Sequence, residues 1–586
     1  MSPLMRIYKR RRKLENDRSV QRWFQKGIQV MKSYGFWNLF RRYAPTFLAA
    51  FALIGFNSAA AAQNAPSQED FAERDIGEGP YKRLIIRGAM MIDGLGGPAL
   101  GPTEIVVENN RITKIGLIKT PFPGEIAKNE SEGEGTRIIN AEGKYILPGL
   151  INGHAHLHST AAGKTGHGGE VPAQYVAWLW LAHGITSVRE VGNGRSIAWQ
   201  VDVARRSAAN EIVAPRIYTH PFFLSRAFGN EAKSVADARQ FVRRAANAGV
   251  HGIKFLGAEK EILAAAIDES KKRKLRTAMH HEQSTVVEAN VLDTSAMGLE
   301  AMEHWYGLPE ALFYDRIVQD YPVDYNYLDE QDRFDQAGRL WAQAAKPGSE
   351  RWNYVMDTLL ERNFNIIPTF SIYIANRDWM RAREAEWHDD YTLPQLWDFF
   401  RPSVFAHGSY WFDWTQDKEI AWTENFRKWM RFIREYNVRG GNVGVGEDAG
   451  YIYSTYGFGY IRELELFREA GFHPLEVIRS ATIINARILG IDNDLGSIEI
   501  GKLADLVIVP ENPLQNLKTL YATGHLRVDM ESGEVHRVGG VDYTIKDGIV
   551  YDARLLRERI KQMVASEKER LNLPPGSMPI ETAPRR

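Results

Sequence analysis

Hydrophobic positions along the chain fall into short apolar runs that alternate with longer segments of helical periodicity. One run precedes His154, and seven more follow it, bounded by Gly, Pro or Asn. Alternating β and α segments predict a parallel sheet, and eight strands in this length favour a closed (β/α)8 barrel over residues 148–495. The seven later strands are predicted at Ile185–Val188, Pro215–Tyr218, Gly252–Phe255, Arg276–Met279, Ala301–Glu303, Ile366–Thr369 and Val443–Gly446.

Two flanking segments have a different pattern, in which short apolar runs are separated by turn residues. One covers residues 82–147 and includes Leu84–Ile86, and the other covers residues 496–553 and includes Lys502–Val509. Such runs are typical of β-strands. We predict that the two segments join in one small β domain, so that both ends of the chain meet.

Residues 1–62 have the composition of a targeting segment. Basic residues crowd the stretch from Lys9 to Arg42, an apolar stretch follows, and Ala60–Ala62 supplies small residues at a cleavage-like position. This order predicts a secretory signal peptide with an upstream basic segment, and hence a periplasmic or secreted protein without a stable membrane partner after cleavage. The alternative is an uncleaved anchor, although the apolar stretch is short for spanning a bilayer.

Two further segments lie outside the predicted domains. Residues 63–81 are polar with Gly and Pro, which predicts a linker. Residues 554–586 begin as a charged amphipathic helix and end in a Pro-rich tail.

Charge and cysteine content narrow the possible functions. The 586 residues include 73 Lys and Arg and 73 Asp and Glu, so the formal net charge is zero, and there is no cysteine. Zero net charge gives no reason to expect nucleic acid as a partner. Without cysteine there are no disulfides or thiolate ligands, so a metal site would use His, Asp, Glu or a modified Lys. The sequence does not indicate the oligomeric state, and a homo-oligomer stays open.

A pair of histidines ends the apolar run that opens the predicted barrel. In a buried strand, side chains two residues apart point to the same face, so His154 and His156 would aim two imidazoles at one point. Such a pair is suited to hold a metal ion. The alternative is two polar residues at a strand end, and the pair alone does not decide between them.

The sequence around these histidines resembles the amidohydrolase superfamily of metal-dependent hydrolases, closest in style to its imidazolonepropionase- and prolidase-like branch. The match is Pro148–His156, supported by Leu84–Gly88 before it and Gly501–Ile508 after it. The resemblance implies a (β/α)8 TIM barrel, a composite β-sandwich built from both chain ends, and a hydrolytic site with two divalent metal ions.

Candidate metal ligands stand at the ends of the predicted strands, where the active site of such a barrel gathers. They are His154, His156, Lys254, His280, His304 and Asp448. The resemblance implies that these residues hold a binuclear centre. Zinc is the metal expected, and the same ligands admit Mn, Co or Fe.

The chemical state of Lys254 determines whether the predicted site would hold one metal ion or two. A charged ammonium group beside two divalent cations would be repelled. The resemblance implies that carbon dioxide converts this lysine to a carbamate, which would bridge both ions. The alternative is a lysine that pairs with a carboxylate elsewhere.

Among the remaining histidines, His220 is placed to contact a small-molecule substrate, because it follows the third predicted strand. His280 and His281 are adjacent and would point to opposite faces, and His280 matches the alternation that the resemblance implies. His158 is a candidate for supporting a ligand, and His167 lies in a loop that could reach over the pocket.

The predicted function is hydrolysis of carbon–nitrogen bonds in small peptides, N-acyl amino acids or cyclic amides. Metal ions would supply a bridging hydroxide at neutral pH and polarise the substrate carbonyl. Asp448 would act as ligand and general base, and the alternative for this residue is a cap of the following helix. Two other functions stay open: a lactonase or other ester hydrolase on the same site, and a metal-stabilised binding protein without turnover.

An insertion is predicted between His304 and Asp448, which are farther apart than two barrel units require. It covers about residues 307–440 and holds most of the chain's 15 tryptophans. We predict a helical cap that closes over the metals and binds an apolar part of the substrate, with Trp305 and Tyr306 lining the pocket. The alternative is that these aromatic residues fill the cap's own core or an oligomer interface.

Overall fold

The computed structural model describes residues 71–118, 133, 135–157, 170–223, 232–400 and 414–576. The chain divides into two compact units, and all of these residues belong to the second, Ser67–Arg586. The predicted signal peptide and two candidate histidines, His158 and His167, lie outside the described residues. Within the described ranges, every helix is too short or too polar to span a lipid bilayer.

Five strands near the start of the described chain pair with one another. They are β1 (Arg83–Met91), β2 (Leu100–Glu108), β3 (Arg111–Leu117), β4 (Thr136–Asn140) and β5 (Tyr145–Pro148). β2 lies antiparallel to both β1 and β3, whereas β4 and β5 run parallel to β1. The paired residues Ile86 and Ile105 are fully buried, as β-branched residues in strands often are.

Parallel strands form the core of the molecule. The first three are β6 (Leu150–Ala155), β7 (Ile185–Glu190) and β8 (Arg216–Thr219). Five more are β9 (Phe222–Phe223), β10 (Gly252–Phe255), β11 (Arg276–Met279), β12 (Ala301–Glu303) and β13 (Asn365–Ile367). Each group pairs in chain order, and four of the eight strands, β6, β7, β10 and β12, are buried throughout, as parallel strands covered on both faces should be.

β8 corresponds to the third predicted strand, and β9 continues it after a break at His220. The amide of His251, just before β10, donates to the carbonyl of Thr219 over 3.0 Å. Beyond the break, Phe222 of β9 pairs with Lys254 of β10. Both strands therefore adjoin β10, and the two groups of parallel strands meet there.

The eighth predicted strand is a short segment around Val443 that meets strands of both groups. Gly444 donates its amide to the carbonyl of Ile366 in β13 over 2.9 Å. Gly153 in β6 donates its amide to the carbonyl of Val445 over 2.8 Å. The pairings of this α/β core therefore follow the strand order predicted from the sequence.

Helices connect the early parallel strands. They are α1 (Ala173–Ala182), α2 (Ile197–Ala208), α3 (Val235–Ala248), α4 (Lys260–Lys272) and α5 (Val291–Met297). Local capping sets their ends. At the start of α3 the side chain of Ser234 accepts the amide of Asp237, and Gly249 ends the helix with a φ of 95°.

The predicted insertion is divided into two helical parts by β13. Before β13 come α6 (Leu308–Ala311), α7 (Glu330–Ala337), α8 (Leu340–Gln343) and α9 (Glu350–Glu361). After it come a 3-10 turn (Phe370–Tyr373), α10 (Ala375–Arg383), α11 (His388–Tyr391), α12 (Pro394–Phe399) and α13 (Gln416–Val438). Trp422, Phe426 and Trp429 of α13 share one buried face because they lie three or four residues apart.

The C-terminal part returns to the first sheet. It begins with helical elements: α14 (Phe458–Glu469), α15 (Pro474–Arg479), a π-helical turn (Ser480–Ile484) and α16 (Asn485–Leu489). The strands that follow are β14 (Leu506–Val509), β15 (His525–Val528), β16 (Val535–Val538), β17 (Tyr543–Lys546) and β18 (Ile549–Asp552). The last helix is α17 (Ala553–Arg570). β14 lies antiparallel to β5, with Ile508 opposite Ile146. Strands from both ends of the chain therefore share one eight-stranded sheet, and its packing as a sandwich stays a prediction.

Candidate metal centre

The carboxylate of Asp448 lies among three imidazole rings at the C-terminal ends of the parallel strands. Its Oδ1 is 3.2 Å from Nε2 of His154 and 3.0 Å from Nε2 of His156, and its Oδ2 is 3.6 Å from Nε2 of His304. All four residues are buried. Ligand atoms of His154, His304 and Asp448 lie within 4.8 Å of one another, so one cation could contact all three.

Glycines allow the eighth strand segment to approach the first strand. A Cβ on Gly446 would lie 2.6 Å from the Cβ of His154, and a Cβ on Gly153 would lie 2.7 Å from Cδ1 of Ile367. A side chain at either position would push the strands apart. The glycines thus allow Asp448, which follows the last strand segment of the core, to contact His154 on the first strand.

Three residues that follow strand ends have left-handed backbone conformations. The φ angles are 59° at His304, 49° at Thr369 and 50° at Asp448. Residues other than glycine rarely adopt such angles, and those that do cluster at functional sites, where the surrounding fold holds them. The strain at these three positions is consistent with a functional role for the cluster.

Two histidines of the cluster donate through Nδ1, the ring nitrogen that faces away from Asp448. His154 donates to the carboxylate of Glu303, and His156 donates to the carbonyl of Gly192 over 2.5 Å. A neutral ring that donates through Nδ1 keeps its lone pair on Nε2. Histidine ligands of metal sites are oriented in this way, so the donor set fits a divalent cation.

The third histidine, His304, is oriented by Thr369, whose Oγ1 lies 2.6 Å from Nδ1 of the ring. Thr369 precedes the turn Phe370–Tyr373. The first two amides of that turn donate to the buried carboxylate of Glu463 over 2.9 and 2.6 Å. Burial raises the pKa of Glu463 to about 8. A carboxyl group of α14 therefore supports the turn that holds His304.

Glu303 is a fully buried carboxylate that no sequence motif indicated. Besides His154, it contacts the buried guanidinium of Arg189, which also donates to the carbonyl of Gly153 over 2.7 Å. Burial alone would raise the pKa of Glu303, but Arg189, Lys254 and His154 hold it well below its usual value. Glu303 is therefore a fixed, ionised acceptor for His154. The one sign of this network in the sequence is that the apolar strand β7 ends in charged residues.

The side chain of Lys254 is buried beside the cluster. Its Nζ lies 3.7 Å from Oε2 of Glu303 and makes no hydrogen bond within the described ranges. Burial lowers the pKa of Lys254 to about 8. The ion pair with Glu303 agrees with the alternative in which Lys254 is unmodified. The lack of a hydrogen bond to Nζ among the described residues suits a modified side chain instead.

His280 adjoins the cluster, and its neighbour His281 does not. The ring of His280 lies 4.8 Å from that of His304, and burial lowers its pKa well below the usual value. Nε2 of His281 lies 2.8 Å from Oγ1 of Thr294 in α5. The two side chains thus point to opposite faces, as the alternation along a strand predicts.

His220 lies at the break in the third strand of the core. Because the third strand continues past it as β9, Phe222 lies opposite Lys254, with its ring 6.2 Å from that of His156. His220 instead lines a cavity together with His251, which precedes β10. Phe222 therefore adjoins the candidate centre, and contact of His220 with a substrate stays a prediction.

Trp305 and Tyr306 are both buried, but they face different surroundings. The ring of Trp305 lies 6.0 Å from those of Trp422 and Trp429 in α13. The ring of Tyr306 lies 5.3 Å from that of His280. Trp305 thus packs in the aromatic core beneath the helices, and Tyr306 adjoins the candidate centre.

One further carboxyl group is affected by residues of the centre. Glu190 ends β7 and is buried, which raises its pKa to about 7, while His156 and Lys254 act in the opposite direction. Asp448 itself precedes an irregular segment, and the next helix begins only at Phe458. Its carboxylate contacts the histidines, so the helix-cap alternative does not describe this residue.

Fold and site together define a class of protein. Parallel strands of an α/β core present buried histidines, a lysine and an aspartate at their C-terminal ends, which is an arrangement suited to metal-dependent hydrolysis. The profile of the amidohydrolase family matches residues 145–320 and 425–549, slightly more than half of the chain. The chain belongs to the amidohydrolase family, which confirms the family predicted from Pro148–His156.

Curated relatives match only a part of their own length. An adenine deaminase from Geobacillus kaustophilus (strain HTA426) is 30% identical over 117 residues, 18% of this chain and 18% of the deaminase. An imidazolonepropionase from Shouchella clausii (strain KSM-K16) is 40% identical over 68 residues, 12% of this chain and 15% of that enzyme. The match thus spans less than a fifth of these relatives.

Solved structures resemble the chain over most of its length. Bottromycin amidohydrolase has a TM-score of 0.56 and 16% identity, covering 88% of this chain and 95% of its own. A Xaa-Pro dipeptidase with methionine bound in its active site has a TM-score of 0.52 and 19% identity, covering 80% of this chain and 100% of its own. Molinate hydrolase has a TM-score of 0.52 and 19% identity, covering 81% and 95%. At these identities the likeness shows the fold alone.

Proposed function

We propose that this protein is an exported binuclear metal-dependent amidohydrolase that cleaves amide bonds of small peptides, N-acyl amino acids or cyclic amides. The observation that carries the proposal is the cluster of three histidines around Asp448, each with a partner at Nδ1 and its Nε2 directed at the carboxylate. Membership of the amidohydrolase family supports the same chemistry.

Two divalent ions, zinc with Mn, Co or Fe as alternatives, would be held by six residues. These are His154, His156, Lys254, His280, His304 and Asp448. Lys254 would be carboxylated and bridge both ions, and its buried Nζ, which has no hydrogen-bond acceptor among the described residues, supports this modification. When bound, the ions would lower the pKa of a water molecule to near neutrality and polarise the substrate carbonyl.

Asp448 is the general base of the proposed reaction. Its carboxylate touches three of the ligand rings, so it lies beside the position where the substrate carbonyl would be attacked. It would take a proton from the attacking water and pass that proton to the leaving nitrogen. Glu303 and Thr369 would meanwhile keep His154 and His304 in their orientations.

The finer architecture belongs to the same proposal. We infer that the parallel strands close into a complete (β/α)8 barrel, and that the mixed sheet folds into a composite sandwich. The bonds of Gly153 and Gly444 to the eighth segment support closure. Export rests on the basic and apolar pattern of residues 1–62.

Metal analysis followed by a substrate panel tests the proposal. Protein purified without chelators should contain about two divalent ions per chain, and it should hydrolyse at least one of a panel of dipeptides, N-acyl amino acids and cyclic amides. Lactones complete the panel, and turnover of lactones alone would make the protein an ester hydrolase. Full metal content with no turnover of any member would favour the binding-protein alternative, and less than one ion per chain would overturn the binuclear centre.

A further inference from the structure

A largely buried cation on α7 has no part in the reaction proposed above. The side chain of Arg333 is only 11% exposed, and its Nη1 lies 3.3 Å from Oε1 of Glu330. Its guanidinium carbon lies 5.3 Å from the ring centre of Tyr327 and 4.6 Å from that of Phe334. A guanidinium remains charged when it is buried among aromatic rings. The helical insertion therefore contributes a positive charge to the interior.

Phenol groups beside this cation bury hydroxyls whose hydrogen-bonding capacity is unfilled. The hydroxyls of Tyr306, Tyr321 and Tyr325 make no hydrogen bond within the described ranges. A phenol hydroxyl can donate a hydrogen bond as well as accept one. Buried donors without acceptors are costly unless water or a ligand satisfies them. A ligand rich in acceptor atoms would do so.

Ring contacts connect this region with the candidate metal centre. Tyr306 lies 5.3 Å from the ring of His280, and Tyr373 lies 5.8 Å from the ring of His304 and 6.2 Å from that of Tyr306. Arg333 is in electrostatic range of both Tyr306 and Tyr373. Arg333, these tyrosines and the candidate metal ligands therefore lie close together in the interior.

We propose that Arg333 binds a free carboxylate of the substrate, so that the enzyme selects N-acyl amino acids and peptides with a free C-terminus. A planar guanidinium matches the two oxygens of a carboxylate, and the hydroxyl of Tyr306 would supply a further donor between Arg333 and the ligands. This inference rests on the proposed amidohydrolase function and narrows its substrate class. Cyclic amides and other neutral compounds would be poor substrates.

Glu330 separates a binding role of Arg333 from a structural one. If Arg333 only anchors α7, it acts through its ion pair with Glu330. Loss of either residue's charge should then change anion binding in the same direction. If Arg333 binds substrate, Glu330 competes with the incoming carboxylate. Removal of the charge at Glu330 should then strengthen anion binding, whereas removal of the charge at Arg333 should weaken it.

The experiment compares two acetamides that differ in one carboxylate, N-acetyl-L-phenylalanine and N-acetyl-2-phenylethylamine, on metal-loaded full-length enzyme. We expect wild type to favour the acid in kcat/KM, and Arg333→Met to reduce this preference roughly 10- to 100-fold, mainly through KM. Arg333→Lys should retain part of it, and Glu330→Gln should lower KM for the acid. Arg339→Met, at an exposed arginine that follows the same helix, is the matched control.

Binding gives a second measurement that does not depend on turnover. Calorimetry with 3-phenylpropionate should give tighter binding to Glu330→Gln and weaker binding to Arg333→Met than to wild type. If both acetamides are cleaved equally well by wild type, the proposed function stands and the carboxylate inference fails. If neither is cleaved but the anion still distinguishes the variants in this way, the carboxylate site stands and the amidohydrolase activity loses support. Equal binding of the anion to all variants overturns the inference.

Discussion

Glu303 and His154 form a buried carboxylate–imidazole pair in which the two ring nitrogens have different partners. Nδ1 donates to Glu303, and Nε2 faces Asp448 at 3.2 Å. Because Glu303 also pairs with Arg189, the carboxylate cannot turn away without leaving a buried guanidinium unpaired. The orientation of the ring is therefore set by the protein itself, and a metal ion would find this ligand already aligned.

Replacement of Glu303 should weaken metal binding although Glu303 is not a ligand. We expect Glu303→Gln to lower the metal affinity roughly 10- to 100-fold, because His154 loses its ionised acceptor. Competition with a chelator measures this affinity. Glu300→Gln, at a half-exposed carboxylate just before the same strand, is the control. Unchanged affinity in Glu303→Gln would show that His154 needs no such support.

Asp448→Asn should fold normally and lose most turnover. Loss of a general base typically costs on the order of 10²- to 10⁴-fold in rate, and loss of a ligand oxygen should add to this. Circular dichroism checks the fold, and kcat on a cleaved member of the substrate panel measures the loss. A nearly normal kcat would remove Asp448 from the mechanism.

Lys254→Ala should lose metal and activity together. The buried Nζ lies where a bridging carbamate is proposed, so its removal should lower the metal content below that of wild type. Elemental analysis measures the content, and short carboxylic acids supplied in the buffer should restore part of both properties. If metal content stays normal in Lys254→Ala, the lysine pairs with Glu303 and bridges nothing.

Trp305 and Tyr306 should respond differently to truncation. Trp305→Ala removes a fully buried ring from the aromatic core, and we expect a loss of about 3–5 kcal/mol in unfolding free energy. Tyr306→Phe removes only a hydroxyl and should raise KM with little effect on stability. Chemical denaturation and steady-state kinetics separate the two effects. An unchanged KM in Tyr306→Phe, with metal content intact, would exclude its hydroxyl from substrate binding.

The stability contribution of Glu463 should depend on pH. Its folded-state pKa of about 8 lies above the ordinary value of 4.5, so the protonated group favours the folded state at low pH, and this contribution is lost as pH rises towards 8. Relative to Glu463→Gln, wild type should lose up to about 1.4 kcal/mol of unfolding free energy per pH unit in that window. Urea unfolding at several pH values measures the difference. A constant difference between wild type and variant would mean that Glu463 keeps an ordinary pKa.

Much of the candidate site followed from local patterns in the sequence. Side chains alternate along a strand, so the spacing of His154 and His156 was enough to direct both to one point. The same alternation separated His280 from His281. These predictions depend only on neighbours in the sequence, which is why they could be made without knowledge of the fold.

The supports of the site could not be predicted in the same way. Glu303, Arg189 and Thr369 act across strands that are distant in sequence, and no local pattern shows which buried charge will meet which histidine. His220 illustrates the opposite difficulty. A break inside the third strand resembles its end, and only the pairing of β9 with β10 shows that the strand continues to Phe222.

The sheet shared by the two chain ends also constrains how the molecule can assemble. β5 leads into β6 and the first metal ligands, yet its antiparallel partner β14 comes late in the chain. Contacts between residues so distant in sequence carry a large loop-closure cost, and folding that depends on them is slow. Until β14 is present, one edge of β5 stays open, next to the ligand-bearing strand. A ribosome-bound chain that lacks its last segment would therefore keep an unpaired edge on β5, directly before the strand that bears His154, and this sheet would be completed only after synthesis has reached the C-terminal strands.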